Sequence, residues 1–534
     1  MSLARNTFVQ ASLTLASRIL GFARDLVANA QFGGQGPLMD AFATALMFPN
    51  LFRRLFAEGA FAQAFVPVYA RERAENGEES ADRIASESLS FLLLVVAVFC
   101  IAAQIAMPWL MPWLLSAYVD DPEVMRIATL MTQLTMPYLA CMTIASLISG
   151  VLNTAGRFAL SAGVPTLLNL CTIAGLLLAP DAQAAAIWVS VAVTVAGVLQ
   201  AGLLWWGAGR IGAKLRLGWP QFTPAVRKLL FLAIPGALAG GAMQINTLVS
   251  QFLTGSDEGA RATLYNSDRL YQLPLGLIGV AVGLALVPRL ARHHAAGETE
   301  QAQGAMDDAI GISMALTVPA AIAFLIMPFF IIDATVTRGA FTSEDAQRTA
   351  EVLRQFAWGV PAFVLAKVFT PPFFARQDTR RPMQFAMTSV AVNTLVGAGL
   401  FFALPSIGVD GVIGLGVATS FSGWLNVFLL SSTLAREGTY RISGRAWGRL
   451  LRLGVACLIM GVFVGVCAAH YEYLSRLLWK KEVAVLAVAF AAFVLYCIAA
   501  LALRAVSLRE IRGALRREAG PPGGGGGLPG GVDG

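Results

Sequence analysis

Charge is scarce in this chain. Asp, Glu, Lys and Arg make up only 13% of its 534 residues, about half the ~25% usual in a soluble domain. Lysine is rarer still: there are five, and none follows a glycine, so no phosphate-cradling Walker loop is present. The three histidines are His293 and His294, in a basic loop, and His470, which excludes an H-E-x-x-H zinc helix. The six cysteines, Cys100, Cys141, Cys171, Cys457, Cys467 and Cys497, all lie in apolar runs without a C-x-x-C, so neither a disulfide framework nor a cysteine metal centre is expected. No contiguous stretch is polar enough to fold as a separate water-soluble domain.

Apolar residue is abundant: 57% of the chain, with a mean hydropathy of +0.66. These values exclude a disordered chain and a soluble multidomain enzyme. They leave an all-α polytopic membrane protein, because a spanning helix needs ~20 mostly apolar residues. Fourteen spans are read, near 8–32, 38–70, 87–116, 123–153, 158–179, 184–208, 224–253, 262–288, 304–332, 346–374, 383–404, 411–434, 447–469 and 482–504. The first is kept as a retained helix rather than a signal peptide, since Arg18 and Arg24 interrupt it.

With the N-terminus inside, the cytoplasmic loops carry 25 basic residues and the opposite loops seven, among them Arg126, Arg261, Arg338 and Arg348. That bias predicts both termini in the cytoplasm and an even number of spans. The basic residues are spread among loops as topology signals, which argues against nucleic acid as a partner.

An internal repeat is visible. A-F-V-P-V-Y-A-R at 64–71 matches A-L-V-P-R-L-A-R at 285–292, a shift of 221, and Pro137/Pro361 and Asn169/Asn393 match at a shift of 224. The pattern predicts two six-helix lobes, 1–216 and 217–440, related by a parallel repeat. Two added helices follow at 441–510, then a disordered tail at 511–534 that ends in nine glycines over fifteen residues. Transporters of this build hold substrate between the halves and rock around it.

Seven basic residues fall inside spans: Arg18, Arg24, Arg53, Arg54, Arg269, Arg354 and Lys367. A centred arginine costs at least ~2.5–3.5 kcal/mol on insertion scales, so such residues face a cavity or an acid. Arg18 and Arg24 are six apart, ~120° on a helical wheel, and can border one broad cavity. Arg53 and Arg54 lie between Pro49 and Gly59, where a bend is expected. Asp25, Asp40 and Glu58 are available as partners, for example Arg24 with Asp40, Arg53 with Glu58, or Arg269 with an acid of another helix. Asp268 stands beside Arg269, and the arginines exceed the nearby acids by five to four. A bidentate anion, phosphate above all, is the ligand such a cluster suits. Arg354 and Lys367 either snorkel or close a gate. Gln244, Asn246 and Asn393 either coordinate a monovalent cation or hydrogen-bond between helices.

The residues also carry a resemblance. A-S-R-I-L-G-F-A-R-D at 16–25, F-P-N-L-F-R-R-L-F-A-E-G-A-F-A-Q-A-F-V-P-V at 48–68, S-D-R-L-Y-Q-L-P-L-G at 267–276 and A-R-Q-D-T-R-R-P at 375–382 resemble the MurJ (MviN) family of lipid II flippases, within the multidrug/oligosaccharidyl-lipid/polysaccharide exporter superfamily. The resemblance covers roughly 1–505. It implies fourteen helices, two lobes in a V, and two extra helices forming a groove for the lipid tail. The implied substrate is the undecaprenyl-pyrophosphate-linked disaccharide-pentapeptide, moved across the bacterial inner membrane, with membrane lipids and the peptidoglycan synthesis machinery as partners and no cofactor. The family's essential arginines correspond to Arg18, Arg24, Arg53 and Arg269, and its essential acid to Asp40. Some members place sodium in the C-terminal lobe on Asp ligands. Asn246 and Asn393 stand in that region here without such an Asp, so coupling falls to the membrane potential or to a weakly held monovalent cation.

Three other readings compete. A flippase for another polyprenyl-linked oligosaccharide, or a drug–cation antiporter, typically has twelve spans and lacks the F-R-R-L-F-A-E-G-A-F motif. A membrane glycosyltransferase needs a carboxylate or metal site beside a sizeable outer loop. A non-transporting scaffold predicts that the cavity arginines are dispensable.

Overall fold

The computed structural model describes residues 3–56, 60–275, 298–376 and 378–505, with side chains described there except at 3–11, 52–63, 234–243, 245–246 and 299. Described residues form helices and no strand. The first half runs α1 (Leu3–Phe32), α2 (Pro37–Phe56), α3 (Ala60–Asn76), α4 (Glu78–Leu114), α5 (Pro122–Thr135), α6 (Tyr138–Thr154), α7 (Phe158–Gly163), α8 (Pro165–Leu178) and α9 (Ala182–Arg210). The second runs α10 (Pro224–Thr254), α11 (260–275), α12 (Thr299–Ile326), α13 (Pro328–Val336), α14 (Ser343–Ala357), α15 (Val360–Phe369), α16 (Pro371–Ala375), α17 (Arg380–Ala403) and α18 (Gly411–Arg436). Then come α19 (Gly444–Ala469), α20 (Tyr471–Leu477) and α21 (Lys481–Ala502).

Among the described residues, ten helical stretches are long and apolar enough to cross a membrane. They coincide with the third to sixth and ninth to fourteenth spans read from the sequence. The chain is a multi-pass membrane protein. The remaining four expected spans fall on α1, on α2–α3, on α10 and on α11. Three of these hold most of the intramembrane charge: Arg18, Arg24 and Asp25 on α1, Asp40, Arg53 and Arg54 on α2, and Arg261, Asp268 and Arg269 on α11. The fourth, α10, runs through 234–243, where side chains are not described. α2 runs through Pro49 to Phe56, and the rest of the stretch where a bend is expected, 57–59, lies outside the described residues. So does the tail.

The repeat is written into the helix breaks. The fourth span divides into α5 and α6 at Met136–Pro137, and its counterpart divides into α14 and α15 at Trp358–Gly359, one residue ahead of Val360 and Pro361. A proline lacks the N–H that would continue the ladder, so both breaks have the same cause. Asp181 caps α9 through the Ala184 N–H at 2.7 Å, and Asp410 caps α18 through Val412 N–H at 2.9 Å.

The added helices pack on the second half. Leu453, Cys457, Met460 and Val464 of α19 and Val488 and Tyr496 of α21 join one core with Met306, Ile310 and Met314 of α12. The Tyr496 hydroxyl donates to Ala315 O at 2.6 Å. Buried Asp333 accepts from Lys481 Nζ at 3.3 Å and from the Tyr471 hydroxyl.

The halves meet tightly at one end, where glycine makes close approach feasible. Ala340 N–H donates to Ala30 O at 2.8 Å. Beside it Gly339 has φ +59°, and a Cβ there would lie 2.3 Å from Ala30 O. Gly339→Ala therefore combines left-handed strain with a backbone collision. The expected result is a longer distance between spin labels placed on the two halves at this end, read by pulsed electron resonance; an unchanged distance would refute the close-approach argument.

A candidate anion-binding site between the halves

The site is built by two helix faces. On α1, Asp25 and Asn29 stand four residues apart and share one face; on α11, Tyr265 and Arg269 do the same. Arg24 and Asp25 are buried. Asp25 Oδ1 accepts from Arg24 Nε at 3.0 Å, from Arg24 Nη2 at 2.7 Å and from the Tyr265 hydroxyl at 2.9 Å. Asp25 Oδ2 faces Arg269 Nε at 3.5 Å. The Arg269 guanidinium lies over the Tyr265 ring, 4.8 Å from its centroid. One acid from the first half thus holds one arginine from each half.

Amides brace this cluster. Arg24 Nη1 donates to Asn169 Oδ1 at 3.3 Å, and Asn169 Nδ2 donates to Ser17 O at 2.9 Å, so α8 fixes α1. Asn29 and Asn266 exchange hydrogen bonds of 2.9 Å in both directions across the halves. Burial of these polar groups is tolerated because each finds a partner.

Two guanidiniums share the Asp25 carboxylate, and Asp268, the residue before Arg269, lies within electrostatic reach of Arg269. The Arg24 side chain is 8% exposed and that of Arg269 is 32%. Arg269 is therefore the arginine that can turn part of its fork to a ligand. Arg18 lies on α1 about 9 Å along the axis from Arg24. Its side chain and that of Lys367 on α15 are exposed and near enough to repel, and neither has an ion pair with a described acid. Arg354 is exposed on α14.

Asp40 takes a different place. It is fully buried at the closed end, not beside Arg24, so the Arg24–Asp40 pairing left open by the sequence does not form; Asp25 takes that arginine instead. Asp40 Oδ2 accepts from the Gly259 N–H and the Tyr118 hydroxyl, both at 3.0 Å, and Oδ1 accepts from the Ala262 N–H at 2.7 Å. It caps the start of α11 from the other half. Arg261, in the first turn of α11 and counted with the adjoining turn in the charge census, lies within its electrostatic reach and is fully buried. Its guanidinium donates to Thr44 Oγ1, to Gln251 O and, at 2.5 Å, to Leu114 O.

Arg53 and Arg54 sit on α2 with side chains outside the described set, and Glu58 lies outside the described residues. The Asn246 side chain is likewise outside it. Asn393 is buried on α17 and accepts from Thr419 Oγ1 at 3.4 Å. Among the described residues no group of His, Cys, Asp and Glu is arranged to hold a metal. Sequence reading did not pick out Tyr265, Asn29 or Asn266. Asn169 was signalled only by its place in the repeat.

Comparison with known proteins now bears on this geometry. The profile described as lipid II flippase MurJ matches residues 29–503. The chain belongs to the MurJ family. A probable lipid II flippase MurJ of Rhizobium tropici is 38% identical over 97% of both chains. A lipid II flippase MurJ of Burkholderia cenocepacia is 29% identical over 89% of this chain and 92% of its own. In fold, the chain resembles the inward closed conformation of a lipid II flippase MurJ, with a TM-score of 0.75 at 22% identity, covering 95% of this chain and all of that one. It also resembles an inward-facing multidrug resistance transporter of the MATE family, of the MOP superfamily, with a TM-score of 0.63 at 13% identity over 80% and 98% of the two chains. MurJ membership favours a transporter over an enzyme, and the MATE likeness concerns the fold alone.

Proposed function

We propose that this chain moves lipid II from the inner to the outer leaflet of the bacterial cytoplasmic membrane by alternating access. The observation that carries the reading is the Arg24–Asp25–Arg269 cluster, in which one carboxylate shares two arginines drawn from the two halves. A pyrophosphate supplies the anionic oxygens that a half-satisfied Arg269 lacks. Arg18 and Lys367 extend positive charge along the cavity, with Arg53 and Arg54 as further contributors. The head group crosses between the halves while the polyprenyl chain stays in apolar surroundings, on a groove beside α19 and α21.

Both termini are cytoplasmic in this reading, which the bias of basic residues towards the cytoplasmic side supports. The closed end, with Gly339 and Asp40, then faces outward, and the arginine cluster opens to the cytoplasm. An inward-negative potential acts on such a cationic cavity with ~2.3 kcal/mol per charge per 100 mV. It can bias the two states without a bound cation, and a cation held near Asn246 and Asn393 is the alternative coupling. The product on the outer face supplies the enzymes that polymerise the disaccharide-pentapeptide.

The test is depletion and rescue in a bacterium deprived of its own flippase, with an externally added enzyme that cleaves exposed lipid II. Rescue with cleavage is expected. A well-inserted chain that leaves lipid II uncleaved would overturn the assignment and favour another polyprenyl-linked sugar.

A further inference from the structure

Between α9 and α10 the chain runs from 213 to 223 without regular secondary structure. It is nevertheless firmly held. Lys214 N–H donates to Asp82 Oδ2 at 2.7 Å, Arg216 N–H to Ser86 Oγ at 3.0 Å, and Gly218 N–H to Ser90 Oγ at 3.0 Å. Alternate linker residues thus meet every fourth residue of α4. The match is geometric: two extended residues advance ~6.6 Å and four helical residues ~6 Å. Asp82 is itself fixed by the Tyr69 hydroxyl at 2.9 Å. The Thr223 hydroxyl donates to Glu87 Oε2 at 2.8 Å, and Phe222 packs on Phe91 with ring centroids 5.4 Å apart. The linker is a strap laid along the first half up to the start of α10.

This strap displays what a membrane surface recognises. Arg210, Lys214, Arg216, Arg227 and Lys228 cluster around it, and none forms an ion pair with a described acid. The nearby acids are engaged: Asp82 and Glu87 hold the strap, and Glu72, within reach of Lys228, accepts from Ser80 and Asn76. Trp219 is 88% exposed. At the strap's end a cleft of about 520 Å³ is lined by Phe222, Pro224, Arg227, Lys228, Phe231 and Leu232. Arg227 and Lys228 sit in the first turns of α10, and Phe231 and Leu232, both exposed, lie one turn deeper along the span. The Arg227 guanidinium covers the Phe231 ring at 5.7 Å, as Arg210 covers Trp206 at 5.2 Å on the other flank.

We propose that the cleft formed by the strap and the start of α10 binds the head group of an anionic phospholipid. Arg227 and Lys228 take the phosphate, and Phe222, Phe231 and Leu232 take the glycerol and upper acyl chains. The order of charge then apolar surface along α10 matches the order of head group then hydrocarbon in a leaflet. A soluble acidic partner would satisfy the cations but leave Phe231 and Leu232 uncovered. The assignment concerns a site apart from the Arg24–Asp25–Arg269 cluster and stands whether or not lipid II is the substrate.

The experiment uses the full chain purified from phosphatidylcholine bilayers doped with phosphatidylglycerol, with retained lipid counted by native mass spectrometry. Wild type is expected to retain phosphatidylglycerol over phosphatidylcholine. Each basic residue near an anionic surface contributes about 1 kcal/mol, a factor of about five, so Arg227→Gln/Lys228→Gln should lower apparent affinity roughly 25-fold. Arg436→Gln/Arg445→Gln, a pair with the same charge loss, should leave retention unchanged. All these side chains are exposed, so the variants keep the fold, which a melting curve verifies. Absence of phosphatidylglycerol preference in wild type, or an equal loss in both double variants, would overturn the proposal.

Discussion

Arg269→Ala should abolish exposure of lipid II on the outer face while leaving the protein folded and inserted. Asp25 retains its bonds from Arg24 and Tyr265 when Arg269 is removed, so the buried acid is not stranded. Arg269 is also the more exposed of the two arginines, and its 3.5 Å approach to Asp25 is the longest contact in the cluster, so little stability is lost with it. Binding suffers more. The cluster loses one positive charge and its more exposed guanidinium, and a charge-assisted hydrogen bond is worth about 1.5–3 kcal/mol, or roughly 10–100-fold in affinity. Arg269→Lys keeps the charge and loses the fork, and should restore only part of the activity. Asp25→Ala fails for a different reason: it leaves buried Arg24 without its acid, a loss of about 3–5 kcal/mol, and should show as reduced abundance. External cleavage of lipid II, measured beside protein level, separates the two cases. Wild-type cleavage with Arg269→Ala would sink the arginine-cavity mechanism.

The contrast between Arg269 and its partners shows what a sequence can display. An arginine inside an apolar run is conspicuous because its burial is costly, and Arg18, Arg24 and Arg269 stand out on that ground alone. Ten apolar spans and the repeated prolines Pro137 and Pro361 are likewise plain, although the helix breaks beside those prolines appear only in the fold. Tyr265, Asn29 and Asn266 leave no such mark. Their amides and hydroxyl are unremarkable in a span, and the bonds they make join residues about 240 apart in the chain. The burial of Arg261 leaves no mark for the same reason. It stands at a helix end next to a short polar turn, and only the fold reveals that Thr44 and Leu114 of the other half enclose it. Choosing Asp25 over Asp40 as the partner of Arg24 also needed three dimensions, because all candidate acids lay within reach on paper.

Asp40→Ala should open the end that Asp40 seals. Its carboxylate accepts two backbone N–H groups at the start of α11 and the Tyr118 hydroxyl, and its backbone oxygen accepts from Thr44, which in turn receives Arg261. Truncation strands the Ala262 N–H and the Tyr118 hydroxyl, while the Gly259 N–H keeps the Tyr118 oxygen at 3.1 Å, and it leaves Arg261, already fully buried, without the acid nearest its charge. Loss of a helix cap costs about 0.5–2 kcal/mol, and leaving the buried Arg261 charge without its nearest acid adds to that loss. These contacts join the two halves, so the loss should appear as separation there rather than as global unfolding alone. Spin labels at Pro37 and Ser256, one on each half, should report a longer and broader distance, together with a lower melting temperature. Asp40→Asn keeps one accepting oxygen and should fall between. Adding Arg261→Met to Asp40→Ala removes the stranded charge, so the double variant should be more stable than the two single losses combined. An Asp40→Ala chain with unchanged melting and unchanged label distance would show that Asp40 does not hold this end closed.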